Sequence, residues 1–207
     1  MSYKLFLRAI PETPALKYIT GLNAEWEIAK IDPAKIWLLS LCNDPIDTST
    51  GAQIIDFPLL TVKGAQPIVF SINYNSLLLN EGSLGKAWSH PFEAKLEFLP
   101  DENINILWSQ NRRNLFIKEN DNKYFSSDYS VRFDTITKKE DESYELVRKD
   151  KTTYLFDSTG KLTEIINPDQ FSTVLSYDES NRLKEIIEPI SNKKLIFFYD
   201  ENNLIQK

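Results

Sequence analysis

The residues that could carry catalysis in this sequence are few. His90 is the only histidine and Cys42 the only cysteine. Ser89 precedes His90, but adjacent residues on a strand point to opposite faces of the sheet, so the two are poorly placed as nucleophile and base. One histidine and one cysteine do not make the clustered ligand set of a zinc site. We therefore predict that His90 packs or hydrogen-bonds, that Cys42 is a small buried hydrophobe, and that no metal or cofactor is bound.

Carboxylates leave another chemistry open. Calcium could bind at the acidic turns Asp44/Asp47, Asp101/Glu102 and Asp121, but none has the spacing of a recognised calcium loop, and aspartate equally favours turn formation. Two carboxylates placed for glycoside hydrolysis come together only in the fold, so an enzyme with dispersed acidic residues stays an alternative. The six glycines do not cluster as a phosphate loop. We expect a protein that is not an enzyme.

Composition favours a folded domain with protein partners. Hydrophobic residues make up 42% of the chain and aromatic residues 12%, which is ample for a core. The net charge is −6 and the basic residues are scattered, which argues against nucleic-acid binding. No apolar run approaches the roughly 20 residues that cross a bilayer, so no membrane-spanning segment is predicted. Lys4 and Arg8 interrupt the apolar run Leu5–Leu7, and we expect no classical signal peptide.

The elements that must position these residues repeat themselves in the last quarter of the chain. An aromatic residue precedes an aspartate three times, at spacings of 21 and 22 residues, and each pair is followed by a turn residue and a leucine. The repeat residues are Phe156, Asp157, Gly160 and Leu162; Tyr177, Asp178, Asn181 and Leu183; Tyr199, Asp200, Asn202 and Leu204.

Each repeat is predicted to be a β-hairpin. Residues 171–178 alternate apolar and polar side chains with the period of a strand that has one buried face. Gly160, Asn181 and Asn202 are residue types that tolerate a positive φ in a tight turn, and the aspartate opening each turn can accept hydrogen bonds from backbone N–H groups ahead of it. The third turn is expected to be one residue shorter. Hairpins stacked side by side would bury their aromatic and leucine rows.

The rest of the chain is also predicted to be mostly β. Residues 1–42 differ, with a strand over 3–10, a short helix over 23–31 and a strand over 36–41. Short strands separated by turn signals then indicate an all-β fold. They are predicted at 53–60, 67–74, 88–99, 103–109, 114–118, 129–137, 144–149 and 152–156, with a polar loop at 80–86.

Three further motifs occur in order before the repeats. They are Asp44-Pro45-Ile46-Asp47 with Thr50-Gly51, then Tyr74-Asn75-Ser76, then Leu84-Gly85-Lys86-Ala87-Trp88-Ser89-His90. Together with the aromatic–aspartate repeats, they resemble the opening of Rhs (rearrangement hotspot) proteins and their YD repeats. The resemblance covers about residues 43–207. Members usually carry many more repeats, and Lys86-Ala87 stands where small residues are typical.

The resemblance implies a structural role. In that family, which includes polymorphic toxins, insecticidal toxin complexes and teneurins, the repeats wind into a hollow β-shell that encloses a toxin. The motif residues Asp44, Pro45, Asp47, Gly51, Tyr74, Asn75, Gly85, Trp88 and His90 would then be structural. The chain would be cytoplasmic before export and afterwards secreted or associated with the cell surface. Its partners would be further shell repeats, a toxin cargo or copies of itself.

We therefore expect an all-β fold of consecutive antiparallel hairpins in a curved sheet, a partial shell of the YD-repeat type, with a small irregular or partly helical N-terminal segment. The expected divisions are 1–42 (a possible cap or plug), 43–151 (an N-proximal β-region) and 152–207 (repeat hairpins). The alternative is a surface module that binds carbohydrate or protein through exposed rings. The rings in question are Tyr154, Phe156, Tyr177, Phe197 and Tyr199, which could instead hold hairpins in register.

Overall fold

The computed structural model describes residues 52–78 and 81–206. The sequence predictions for residues 1–42, for Cys42 and for Asp44, Pro45, Asp47 and Gly51 lie outside this part of the chain. In the described part, the all-β prediction is confirmed: sixteen strands are joined by turns and by two short 3₁₀ helices. None of the helices found there is long and apolar enough to cross a membrane.

The strands follow one another at short intervals. They are β1 (Ile54–Val62), β2 (Ile68–Asn75), β3 (Glu81–Gly82), β4 (Gly85–Lys86), β5 (Trp88–Ser89), β6 (Lys95–Phe98), β7 (Ile104–Leu107), β8 (Arg113–Asn120), β9 (Lys123–Phe125), β10 (Thr135–Lys138), β11 (Tyr144–Val147), β12 (Thr153–Phe156), β13 (Leu162–Ile166), β14 (Ser172–Tyr177), β15 (Leu183–Glu188) and β16 (Lys193–Ile196).

Strand order follows chain order almost throughout. Strands β6 to β16 form one eleven-stranded antiparallel sheet in which each strand pairs with the next along the chain. Strands β1, β2 and β5 form a three-stranded sheet, and β3 and β4 form a hairpin. The described residues divide into two compact units: one comprises 52–57, 72–78, 81–89 and 197–206, and the other comprises 58–71 and 90–196. The large sheet lies wholly in the second unit.

The large sheet is curved. Lys95 in β6 forms an antiparallel bridge with Lys161, which precedes β13. Next to it, the Leu96 N–H donates to the Gly160 carbonyl at 2.8 Å. Because β6 and β12 are six places apart in strand order, these contacts require the sheet to curl.

One face of the curled sheet is its core. Alternate residues are buried along β7, β8, β11 and most of β14, as expected when successive side chains point to opposite faces. Phe116 and Ile106 are fully buried and Phe156 is 1% exposed. The other buried apolar residues on this face of β6 to β13 are Leu96, Ile104, Tyr124, Ile136, Tyr144, Leu146 and Leu162. Burying a large apolar side chain stabilises the fold by about 1.5–3 kcal/mol, so this face is the main source of the sheet's stability.

Three predictions of secondary structure are wrong in detail. The predicted strand 88–99 is interrupted, because His90 caps a 3₁₀ helix that Pro91 begins. The predicted polar loop 80–86 contains the β3–β4 hairpin, whose turn places Gly85 at φ 91°. Residues 129–134 are turns rather than strand, while Lys123–Phe125, which was not predicted, forms β9.

Candidate functional site

The repeated turn is the feature that the large sheet uses most often. Six of its turns, and a seventh in the other unit, share one five-residue geometry. In each, the first N–H donates to the fifth carbonyl and the fourth N–H donates to the first carbonyl, at 2.8–3.1 Å. The fourth residue is left-handed, with φ between 62° and 87°. The turns are Leu99–Asn103, Lys139–Ser143, Arg148–Thr152, Asp157–Lys161, Asn167–Phe171, Asp178–Arg182 and Asp200–Leu204. This is a type I turn closed by a left-handed residue, a common hairpin connection.

Aspartates in the repeat turns make the predicted hydrogen bonds. One carboxylate oxygen of Asp157 accepts from the N–H groups of Thr159 and Lys161 at 2.8 and 3.0 Å. Asp178 accepts from the N–H groups of Ser180 and Arg182 in the same way, at 3.0 and 2.9 Å. Asp200 does so at 2.9 and 3.0 Å. The aspartate thus closes the turn from inside and leaves few donors for another ligand.

These hydrogen bonds stabilise the charged form of the carboxylates. For Asp178, the backbone N–H of Arg182 is the main reason that the pKa lies below its ordinary value. For Asp157, burial acts to raise the pKa, but hydrogen bonds from Thr159 and Lys161 outweigh it and the pKa lies below the ordinary value. Such shifts favour ionised carboxylates and are opposite in direction to those of a general acid.

Consecutive repeats are joined through side chains. The Tyr177 hydroxyl donates to the Leu162 carbonyl at 2.7 Å, which ties β14 to the preceding repeat. The Lys161 ammonium donates to the Asn181 side-chain oxygen and lies 5.3 Å from the centre of the Tyr177 ring. Phe156 and Leu162 are direct partners across their hairpin, as are Tyr177 and Leu183. The repeat residues therefore come together in pairs along the sheet.

The third repeat corrects two predictions. Its turn is not shorter: it has five residues, like the first two, and the left-handed residue is Asn203 rather than Asn202. Tyr199 pairs with Ile205, which is 7% exposed, whereas Leu204 is half-buried. Ile205 stands five residues after the aspartate, as Leu162 and Leu183 do. Matching the repeats by their leucines therefore shifted the register by one residue.

The N-proximal motif residues fall into two groups. In the unit that contains 72–78 and 81–89, Tyr74 pairs with Trp88 across β2 and β5, with ring centres 5.0 Å apart. The Asn75 side chain accepts from the Leu77 N–H at 3.0 Å, and the Asn75 backbone N–H donates to the Ala87 carbonyl at 3.0 Å. In the same unit, the Ile205 N–H donates to the Ser83 carbonyl at 2.8 Å. The third repeat is thus attached to the loop that carries Gly85.

His90 belongs to the other unit, where it is 2% exposed. Its ring lies 5.1 Å from that of Phe70, and its Nδ1 accepts from the Phe92 N–H at 3.3 Å. That bond requires an unprotonated Nδ1, so Nε2 carries the proton and faces Glu93 Oε1 at 3.4 Å. Burial lowers the pKa of His90, with Glu93 acting in the opposite direction. The geometry is that of a neutral histidine that caps a helical turn.

Two buried carboxylates were not singled out by the sequence. Glu188 is fully buried and accepts from the N–H groups of Ile190 and Ser191 at 3.0 and 2.8 Å. It also accepts from the Ser191 hydroxyl, whose hydrogen bond is the main reason that its pKa lies below the ordinary value. A Cβ on Gly64 would stand 2.7 Å from Glu188 Oε2, so the β1–β2 loop depends on glycine there. The signal was a glutamate before proline where the previous repeat has Asn167.

Asp134 is the second of these carboxylates and is 2% exposed. It accepts from the Lys149 N–H at 2.9 Å and from Arg148 Nε at 3.3 Å. Nearby, Trp108 Nε1 donates to Asn114, which donates to Asp128 at 2.7 Å. These polar groups satisfy one another. In the described residues there is no group of three or more histidine, cysteine or acidic side chains that could hold a metal ion.

The rings proposed for sugar stacking do not form an exposed row. Phe156 and Phe197 are buried, and Tyr154, Tyr177 and Tyr199 are half-buried. The most exposed rings are others, namely Tyr129, Phe133 and Phe198.

A family model described as a domain of unknown function (DUF6531) matches residues 43–116. The match covers roughly a third of the chain; it includes the three N-proximal motifs and ends within β8. The repeats of residues 152–207 lie beyond it. No curated protein matches the chain significantly. The comparisons therefore show similarity to an uncharacterised domain over the N-proximal β-region.

Proposed function

We propose that this chain is a non-catalytic structural segment of an Rhs/YD-repeat β-shell, which encapsulates a toxin or helps to deliver it. The observation that carries the proposal is that eleven strands pair in chain order and that six of their ten connections use the same turn. Such a sheet grows by adding hairpins and has no requirement for a catalytic centre.

The mechanism is mechanical. Continuous backbone pairing makes a wall, and a closed wall keeps a cargo polypeptide away from solvent and from its producer cell. The curl of the sheet supports this mechanism, since a flat sheet cannot enclose a volume. At β16 the backbone pairs with β15 alone among the described strands. Unpaired edges of this kind join further strands, so this edge is where we expect more shell or a second copy to attach.

Protease protection tests the proposal. The native protein should be purified from the cells that encode it, together with any polypeptide linked or bound to it, and digested under native conditions. We expect a cargo polypeptide that resists digestion, and that loses this protection when Gly160→Ala weakens the wall. Lys184→Ala, on an exposed side chain of β15, is the control that should retain protection. Absence of a second polypeptide, or digestion that is equally fast in all three proteins, would contradict encapsulation.

The carbohydrate- or protein-binding alternative now depends on rings other than those first considered. Its support is the exposure of Tyr129, Phe133 and Phe198, at 79%, 57% and 55%. A glycan array tests the carbohydrate form of this alternative. Binding that is lost in Phe133→Ser would favour it over the shell.

A further inference from the structure

Exposed apolar side chains lie on the outer face of β8 and β9 and in the loop of residues 126–134, which begins directly after Phe125. We call Leu115, Ile117, Phe125, Tyr129 and Phe133 the exposed patch; they are 43%, 47%, 38%, 79% and 57% exposed. Leu115 and Ile117 alternate with the buried Asn114 and Phe116, so both point away from the core. Exposed apolar groups in such a cluster are typical of a protein-binding surface.

Strand register places the outward side chains of β8 and β9 side by side. Ile117 lies directly opposite Phe125, and Phe125 lies opposite Thr135 in β10. Thr135 in turn lies opposite Val147 in β11. An outward row of apolar and β-branched side chains therefore crosses four neighbouring strands, which at about 4.8 Å per strand extends over roughly 14 Å.

A fixed loop supplies the most exposed rings. Residues 126–134 connect β9 to β10 and are anchored by the buried Ser126, Val131 and Asp134. Asp134 is held by the Lys149 N–H at 2.9 Å, and the Asp128 N–H donates to Ser126 Oγ at 3.2 Å. A loop held in this way presents its side chains with little further ordering cost on binding.

Cations lie among these rings. The Arg132 guanidinium lies 4.3 Å from the Tyr129 ring centre and 4.6 Å from that of Phe133, and the Lys149 ammonium lies 5.2 Å from the Phe133 ring. Arg113 is exposed at the start of β8, on the same face as Leu115. Among the described residues, none of these three cations has a carboxylate within ion-pair distance. These three cations outnumber the exposed Asp128 carboxylate of the same loop, on a chain whose net charge is −6.

We propose that the exposed patch binds an acidic polypeptide segment that carries apolar side chains. Tyrosine and arginine are the residue types that contribute most to protein interfaces, and the unpaired cations match carboxylates. A sugar would need directional hydrogen bonds beside the rings, but Asn114, Asp128 and Asp134 already use theirs on one another and on the backbone. This surface does not depend on the shell: it would bind the same segment whether or not the sheet encloses a cargo.

The probe is a short fluorescein-labelled peptide of repeating Glu-Leu-Asp-Phe, and binding to the full chain is followed by fluorescence anisotropy. Its counterpart has lysine in place of both acids. We expect saturable binding of the acidic peptide only, and weaker binding at high salt because the charges are screened. The double variant Phe133→Ser/Lys149→Glu should bind it roughly tenfold more weakly.

The matched control is Phe198→Ser/Lys184→Glu, which changes an equally exposed phenylalanine and another exposed lysine, neither of them part of the patch. It should bind like the original protein, and both variants should keep the original circular dichroism spectrum. Absence of acidic-peptide binding, equal binding of the lysine counterpart, or an equal loss in both variants would overturn the proposal. So would binding of anionic vesicles or sulfated glycans that the acidic peptide does not displace.

Discussion

The two halves of the large sheet have turns of the same geometry but with different residues in them. In the later half, β12 to β15, the turns at Asp157 and Asp178 begin with an aspartate that accepts from the backbone ahead of it. In the earlier half, β6 to β11, the aspartate is the third turn residue: Asp101, Asp141 and Asp150 each accept from the N–H of the fifth. The same turn can therefore be closed from either position.

The difference extends to the left-handed residue. In the later half, Gly160 and Asn181 occupy it in the two aspartate turns, where such types are expected, and Gln170 occupies it in the turn between β13 and β14. Glu102, Glu142 and Lys151 occupy it in the earlier half, although a left-handed conformation costs such residues about 1 kcal/mol. Strand pairing and the aspartate hydrogen bonds must offset that cost. The aromatic–aspartate motif is thus one of several sequences that form this hairpin, and the hairpin also forms without it.

The first prediction sharpens this equivalence in the core. Phe116 in the earlier half and Phe156 in the later half are both at most 1% exposed. Replacing either with alanine should lower the free energy of unfolding by about 3–5 kcal/mol, since each change leaves a large cavity. Chemical denaturation of the two variants measures this. A much larger loss for Phe156→Ala alone would mean that the motif aromatic has a special role and that the halves are not equivalent.

The second prediction concerns the Asp157 turn, the one of the seven repeated turns whose left-handed residue is a glycine. Gly160 has φ 87°, and a Cβ there would stand 2.7 Å from the Leu96 carbonyl oxygen. Gly160→Ala should therefore cost about 2–4 kcal/mol, from backbone strain and from displacement of β6.

Lys151→Ala is the control, at the same turn position and exposed. We expect it to change the free energy of unfolding by less than about 1 kcal/mol. Equal losses in the two variants would show that the contact between Gly160 and Leu96 does not hold the curled sheet together.

What the sequence predicted follows the same division. The hairpins that turn at Asp157 and Asp178 and their turn bonds were predictable, because apolar alternation and the Asp-to-Gly or Asp-to-Asn spacing are local signals. The geometry of the earlier turns was not, since Glu142 and Lys151 carry no preference for a left-handed conformation. The predicted strand 88–99 is interrupted at His90 by a helix cap that His90 forms with Phe92 and Glu93. The alternating pattern of the neighbouring residues gives no sign of this cap.

Non-local contacts were beyond the sequence. Asp134 lies on Arg148 and Lys149, fourteen and fifteen residues away, and only the strand register brings them together. The sequence pattern predicts a strand over residues 129–137, but Tyr129 and Phe133 lie in turns. Their exposure results from a loop whose buried residues are Ser126, Val131 and Asp134, and no periodic pattern marks them.

The third prediction compares how His90, before the large sheet, and Asp157, in the later half, make stability depend on pH. The pKa of His90 is lowered by burial, so between that pKa and the ordinary 6.5 the unfolded chain binds more protons than the folded one. Stability is therefore full above pH 6.5 and falls as the pH drops below it, by up to about 1.4 kcal/mol per pH unit. The lowered pKa of Asp157 acts in the same direction, but its contribution is lost only as the pH falls below the ordinary 3.8.

Urea denaturation at a series of pH values checks this. His90→Asn removes the titrating ring but keeps an oxygen that can accept from the Phe92 N–H, so its stability should be nearly constant between pH 6.5 and about 5. A variant that shows the original slope there would assign the acid sensitivity to another group.

The last prediction has the smallest effect and tests the equivalence most directly. Lys151→Gly gives an earlier-half turn the residue that the Asp157 turn already has. The left-handed strain at φ 71° would be relieved, while glycine adds entropy to the unfolded chain, so we expect a net gain of only about 0.5 kcal/mol. Thermal unfolding of the variant measures this, with Thr159→Gly as a control at a turn position that is not left-handed. A loss of stability in Lys151→Gly would mean that the lysine contributes a contact of its own, and that the earlier turns are not merely weaker forms of the repeat.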